Sequence, residues 1–128
     1  METRCAWFEQ FRPEGRHRLL VAVEAGEVAA YAGTLQFRTK RAYDTTVETT
    51  IYCAPEAVGR GIGPLLYAAL FDAIRAEDIR MLVAGITLPN DTSVRLHERF
   101  GFRQAGVFHG VGRKFGQYWD VGWYAREL

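Results

Sequence analysis

The sequence predicts an α/β (α+β) fold, a mixed sheet flanked by helices, and three observations carry that prediction. Two strand-like runs, Arg18 to Glu24 and Val28 to Phe37, are separated only by Ala25-Gly26-Glu27, which reads as a hairpin. A third run, Thr45 to Ala54, leads through a glycine-rich turn into an amphipathic helix. Met81 to Thr87 is almost continuously apolar and is bounded by charges and by Pro89-Asn90-Asp91, the pattern of a strand covered on both faces.

Taken in order, Trp7, Phe8 and Phe11 have helical spacing and stop at Pro13-Glu14-Gly15, so the chain opens on a short amphipathic helix or the end of one. The hairpin follows. A polar connection, Arg38 to Asp44, carries three cationic side chains and enters the strand Thr45 to Ala54. Leu65, Leu66, Ala69, Leu70, Ala73 and Ile74 predict the buried stripe of a helix that ends near Asp78. After the apolar strand, Asn90 or Asp91 can cap a short helix from Thr92 to Phe100, which Gly101 stops. Two last strands, near Phe102 to Phe108 and Trp119 to Tyr124, enclose a loop, Gly110 to Tyr118, rich in glycine and cations. With no repeat, linker or low-complexity segment, residues 1–128 read as one domain.

Composition narrows the function. Hydrophobic residues make up 48% and charged residues 24%, an ordinary globular balance. A formal net charge of +1 gives no global basic field, so no nucleic-acid partner is expected and an anionic ligand must be met locally. No apolar run reaches the length of a signal peptide or a membrane span, which reads as cytoplasmic with no membrane partner. Cys5 and Cys53 make no disulfide framework. Together with His17, His97 and His109 they suggest no metal site.

The chemistry gathers between Val47 and Tyr67. Gly59, Gly61 and Gly63 alternate with Arg60 and Ile62 directly before a helix. Glycines let the backbone approach a ligand, and the helix start offers unpaired N–H groups and a positive dipole end. That is a phosphate cradle or, equally on this pattern alone, a glycine-rich turn that binds nothing. No Lys-Ser or Lys-Thr follows, so it is not a Walker loop, and it lacks the third glycine of a dinucleotide fingerprint. Glu48 shares one strand face with Thr46, Thr50 and Tyr52. Such a carboxylate is either a solvated surface group or a proton acceptor whose site raises its pKa. Ser93, Leu96, His97 and Phe100 lie on one helical face, so His97 looks inward as a structural residue or an acid–base group. Arg38, Lys40 and Arg41 precede Tyr43, and Arg113 and Lys114 precede Tyr118 and Trp119. These cations suit an acceptor that carries its own anion, or are solvated loop charges.

Four motifs stand in order along the chain: Val47 to Tyr52 (VETTIY), the loop Gly59 to Gly63 (GRGIG), Leu88 to Glu98 (LPNDTSVRLHE) followed by Phe100-Gly101-Phe102, and Gly112 to Val121 (GRKFGQYWDV). Together they resemble the GNAT acetyltransferase superfamily and, within it, the phosphinothricin acetyltransferase-like group. The resemblance implies a mostly antiparallel sheet with two splayed parallel central strands. It implies acetyl-CoA as co-substrate and no metal, with the pyrophosphate on Val58, Gly59, Arg60, Gly61, Ile62 and Gly63. Ile51, Tyr52, Cys53, Asn90 and Ser93 would line the rest of the cofactor. Val58 stands where the superfamily usually has Gln or Arg, and Pro64 where relatives commonly have Ser.

The resemblance also makes Glu48 the general base and gives His97 a part in substrate binding or acid–base work. Arg38, Lys40, Tyr43, Thr50, His97 and Tyr118 would surround a small amine acceptor of the phosphinothricin, methionine sulfone or methionine sulfoximine type. Relatives open with a further strand and helix, so an N-terminally truncated form is expected, and a homodimer is the usual assembly. The alternative is a non-catalytic remnant that binds coenzyme A or dimerises. Acetylation of protein N-termini would need an open acidic groove, against which the cations weigh.

Overall fold

The computed structural model describes residues 9–128. Trp7 and Phe8, on which the expected opening helix rests, and Cys5 lie outside the described residues. Six strands form one sheet in the order β1-β2-β3-β4-β6-β5. β1 (Leu19–Glu24) and β2 (Glu27–Gln36) pair antiparallel. They turn through Ala25 and Gly26, both at positive φ, the backbone that matches the twist of a two-residue hairpin. β3 (Thr46–Cys53) runs antiparallel to β2.

β3 pairs with β4 (Met81–Leu88) in parallel, but only over Thr46↔Met81, Val47↔Leu82 and Glu48↔Val83. Beyond Glu48 and Val83 the strands splay, as the resemblance implies. β6 (Gln117–Glu127) is antiparallel to β4 and to β5 (Arg103–Lys114).

α1 (Ile62–Ile74) packs on β1, β2 and β3, and α2 (Asp91–Arg99) packs on β4. Their shared core holds Ala30, Ala32, Val47, Leu66, Tyr67, Leu70, Ile74, Leu82 and Phe102. Because side chains alternate along β3, Val47, Thr49, Ile51 and Cys53 turn to the helices while Glu48, Thr50 and Tyr52 turn to the opposite face. No helix among the described residues is long and apolar enough to cross a membrane.

Four expectations are corrected. The stripe of α1 is rotated: Leu65 is 74% exposed and Ala69 also faces solvent, while Tyr67 and Phe71 are buried. Their rings, one turn apart, sit 4.7 Å from each other against Phe100, a packing that the smaller Ala69 cannot supply. The same helix ends at Ile74, capped by Arg75, rather than near Asp78. Residues 110–118 are not an open loop but the end of a long hairpin, in which Lys114 pairs with Gln117 around Phe115 and Gly116, both at positive φ. β4 is fully covered on one face only: Leu82, Ala84 and Ile86 are buried, whereas on the other face Met81 and Val83 are half-buried and Gly85 and Thr87 exposed, with the Trp123 ring against Gly85.

Candidate active site

One cavity opens beside β3 and a second in the connection that leads into it. The larger, about 700 Å³, is lined by Ile51, Tyr52 and Cys53 of β3, by Val58, Gly59, Gly61, Ile62 and Gly63, and by Asn90 and Ser93 at the head of α2. Each element arrives there for a local reason. A short 3-10 turn, Pro55–Ala57, breaks β3 away from the sheet. Gly59 and Gly61 then take φ of 84° and 77°, the left-handed region that favours glycine, and Gly61 becomes the N-cap of α1. The N–H groups of Gly61, Ile62 and Gly63 precede the first intrahelical bond, which Leu65 makes to Gly61, and Pro64 has no N–H to offer. A Cβ on Gly63 would meet Cys53 Sγ at 3.7 Å, so the helix start lies close on the strand.

On the other side of the cleft, Asn90 caps α2 by accepting from the Ser93 N–H at 3.1 Å. The wedge between the splayed strands continues the cleft, because β4 beyond Val83 has no strand partner on its β3 side. A mouth of helix N–H groups and a slot of unpaired backbone fit a long ligand with a phosphate end and an amide-bearing arm.

Glu48 stands at the narrow end of that wedge, half-buried on the opposite face of β3. Burial pushes its carboxyl above the ordinary range, while the nearby Arg38 guanidinium pulls it back down. Arg38 belongs to the second cavity, about 460 Å³, which Phe37, Thr39, Lys40 and Tyr43 complete. Its guanidinium carbon lies 4.0 Å from the centroid of the Phe37 ring. The three residues expected of the connection, Arg38, Lys40 and Tyr43, therefore share one hollow.

The structure does not gather every expected residue. Arg60 lines neither cavity, and its guanidinium meets Glu24 of β1 at 2.7 Å. Thr50 is on the Glu48 face but lines neither hollow, and Tyr118 is exposed on the β5–β6 hairpin under Arg113. His97, 3% exposed, lies behind the cleft wall with both ring nitrogens engaged by protein. Sequence reading passed over Tyr67, whose hydroxyl reaches His97, and over Thr92, Arg95 and Leu96, which line the cleft. The signal available for Tyr67 was a hydrogen-bonding ring four residues from both Gly63 and Phe71. No group of three metal-ligating side chains occurs among the described residues.

A family model described as the acetyltransferase (GNAT) family matches residues 1–102. The chain is 54% identical over 129 residues to phosphinothricin N-acetyltransferase of Streptomyces coelicolor, covering 99% of this chain and 75% of the relative. It is 35% identical over 121 residues to an L-methionine sulfoximine/L-methionine sulfone acetyltransferase of Pseudomonas aeruginosa, covering 94% and 70%. Among solved structures, a GNAT superfamily phosphinothricin acetyltransferase from Sinorhizobium meliloti in complex with AcCoA superposes with a TM-score of 0.89. It is 32% identical, over 100% of this chain and 70% of that one.

Proposed function

The chain belongs to the acetyltransferase (GNAT) family and is an acetyl-CoA-dependent N-acetyltransferase, and from that premise we propose that its acceptor is a small amino acid with an anionic or strongly polar side chain. Phosphinothricin, methionine sulfone and methionine sulfoximine represent the class, after the acceptors named in the relatives. The observation that carries this reading is the cationic hollow of Arg38, Lys40 and Tyr43 set beside Glu48. A guanidinium there can hold an acceptor's oxyanion while the amine faces the carboxylate.

When bound, acetyl-CoA supplies the activated acyl group. The residues suited to hold it are those of the larger cleft: the N–H groups of Gly61, Ile62 and Gly63 for the pyrophosphate, and Ile51, Tyr52, Cys53, Asn90 and Ser93 along the arm. Glu48 takes a proton from the acceptor's ammonium group, directly or through one water, because only the neutral amine carries a lone pair for attack. A carboxyl raised by burial is a stronger base than a solvated one, which is the use of its half-buried place. Unpaired backbone N–H groups of β4 beyond Val83 supply hydrogen bonds where negative charge develops.

The test is release of coenzyme A thiol across an amine panel. It should be fastest with the three acceptors above, slower with apolar amino acids and slowest with a neutral peptide. Calorimetry with acetyl-CoA and with each amine separates this enzyme from a remnant that only binds coenzyme A. Heat with acetyl-CoA, together with no turnover of any amine, would sink the proposal. A homodimer and a cytoplasmic location belong to the same reading. Phe108, Val111, Phe115 and Tyr118, exposed on the β5–β6 hairpin, offer a second copy an apolar surface, and sedimentation equilibrium measures whether it is used.

A further inference from the structure

Behind the wall of the larger cleft runs a buried chain of three side chains. Tyr67 on α1 is fully buried, with Thr49 of β3 and His97 of α2 at 4% and 3% exposure. The Tyr67 hydroxyl lies 3.0 Å from Thr49 Oγ1 and 2.8 Å from His97 Nε2. His97 Nδ1 lies 2.7 Å from the carbonyl oxygen of Ser93.

Proton accounting fixes the direction of the chain. A carbonyl only accepts, so Nδ1 carries the hydrogen and donates to Ser93. Burial holds the imidazole neutral, which leaves Nε2 bare. The phenol donates its single hydrogen to Nε2, and its oxygen accepts from the Thr49 hydroxyl. Every hydrogen along the line then has an acceptor, with no charge present.

The three elements so joined are the walls of the cleft. Thr49 follows Glu48 and precedes Ile51, Tyr52 and Cys53; Tyr67 lies one turn beyond Gly63; Ser93 lines the cleft next to its cap, Asn90. Resting on the acetyltransferase reading, the geometry assigns Tyr67 as a positioning residue. Its hydroxyl, through Thr49 and neutral His97, holds β3, α1 and α2 at the separation that receives acetyl-CoA. His97 then acts through the wall rather than on a reacting atom.

The experiment is Tyr67→Phe, which keeps the ring packed on Phe71 and Phe100 and removes only the hydroxyl. Calorimetry should show about a tenfold weaker acetyl-CoA affinity, the size of one buried hydrogen bond. The KM for the acceptor should stay within about twofold. Tyr67→Phe/Thr49→Val removes the threonine hydroxyl left without its acceptor. It should regain thermal stability while acetyl-CoA affinity stays weak, which separates positioning from folding.

Nitrogen NMR of the wild type without ligand should show His97 Nδ1 protonated and Nε2 not, with the Nε2 signal moving in Tyr67→Phe. Equal acetyl-CoA affinity in wild type and Tyr67→Phe overturns the positioning role alone, and a protonated Nε2 in the wild type overturns the chain whatever binds. Absence of acetyl-CoA binding to the wild type overturns the acetyltransferase reading itself.

Discussion

Glu48 and Val83 form the last rung of the ladder between β3 and β4, and past them the two strands part. The proposed base thus sits where the sheet itself opens, on the face away from both described helices. One interruption of a parallel ladder supplies both a slot of unpaired backbone and a carboxylate at its apex.

Replacing Glu48 by Gln should lower kcat by about 10²-fold or more while leaving acetyl-CoA affinity unchanged. Its stability has the opposite sign. A carboxyl whose folded pKa is raised binds more protons in the folded than in the unfolded chain. Folding is therefore weakened as pH rises from the ordinary carboxylate value through the raised one. At neutral pH, Glu48→Gln should melt no lower than the wild type, and a scanning calorimeter decides it.

Arg38→Gln removes the cation that holds Glu48 down, so the Glu48 carboxyl should rise further. The acidic limb of the pH profile of kcat/KM should then move to higher pH, because the base must be ionised to act. The same variant should raise KM for a phosphinate-bearing acceptor more than for an apolar amino acid. A limb that stays in place, measured with one acceptor across the pH range, would separate Arg38 from Glu48.

Much of this was legible in the chain because it rests on spacing. Alternation along VETTIYC places Glu48 and Thr49 on opposite faces, and the i, i+4 step from Ser93 turns His97 inward. Long-range partners were not legible. That Arg60, in the loop between β3 and α1, answers Glu24 at the end of β1, and that Tyr67 displaces Ala69 from the stripe depend on which elements meet in space. The β5–β6 hairpin was hidden because glycines and cations, ordinary loop composition, also suit an exposed two-stranded ribbon with a bulge between Phe108 and Gly112.

Gly61 and Gly63 should respond in opposite directions to alanine. Gly61 has φ of 77°, and although a Cβ there meets open space, the left-handed backbone costs an alanine about 1 kcal/mol. Gly61→Ala should lose that stability and weaken acetyl-CoA binding as the cradle relaxes. Gly63 is helical, and its Cβ would make ordinary contact at 3.7 Å with Cys53 Sγ. Gly63→Ala should gain up to about 1 kcal/mol from helix propensity. Denaturant melts of the two variants side by side measure the contrast.

Asn90 has two roles that one substitution can separate. Its side chain caps α2 through the Ser93 N–H, and it lines the cleft. Asn90→Ala should cost about 1 kcal/mol and weaken acetyl-CoA binding, which leaves the roles mixed. Asn90→Asp keeps an equally good cap and adds charge of the sign that the helix start prefers, so its melting temperature should match the wild type. The new carboxylate also faces the cleft and offers no amide donor. Acetyl-CoA affinity should therefore fall about tenfold with stability intact, more at low salt than at high, because a screened repulsion is part of the loss. Unchanged affinity in Asn90→Asp would confine Asn90 to capping.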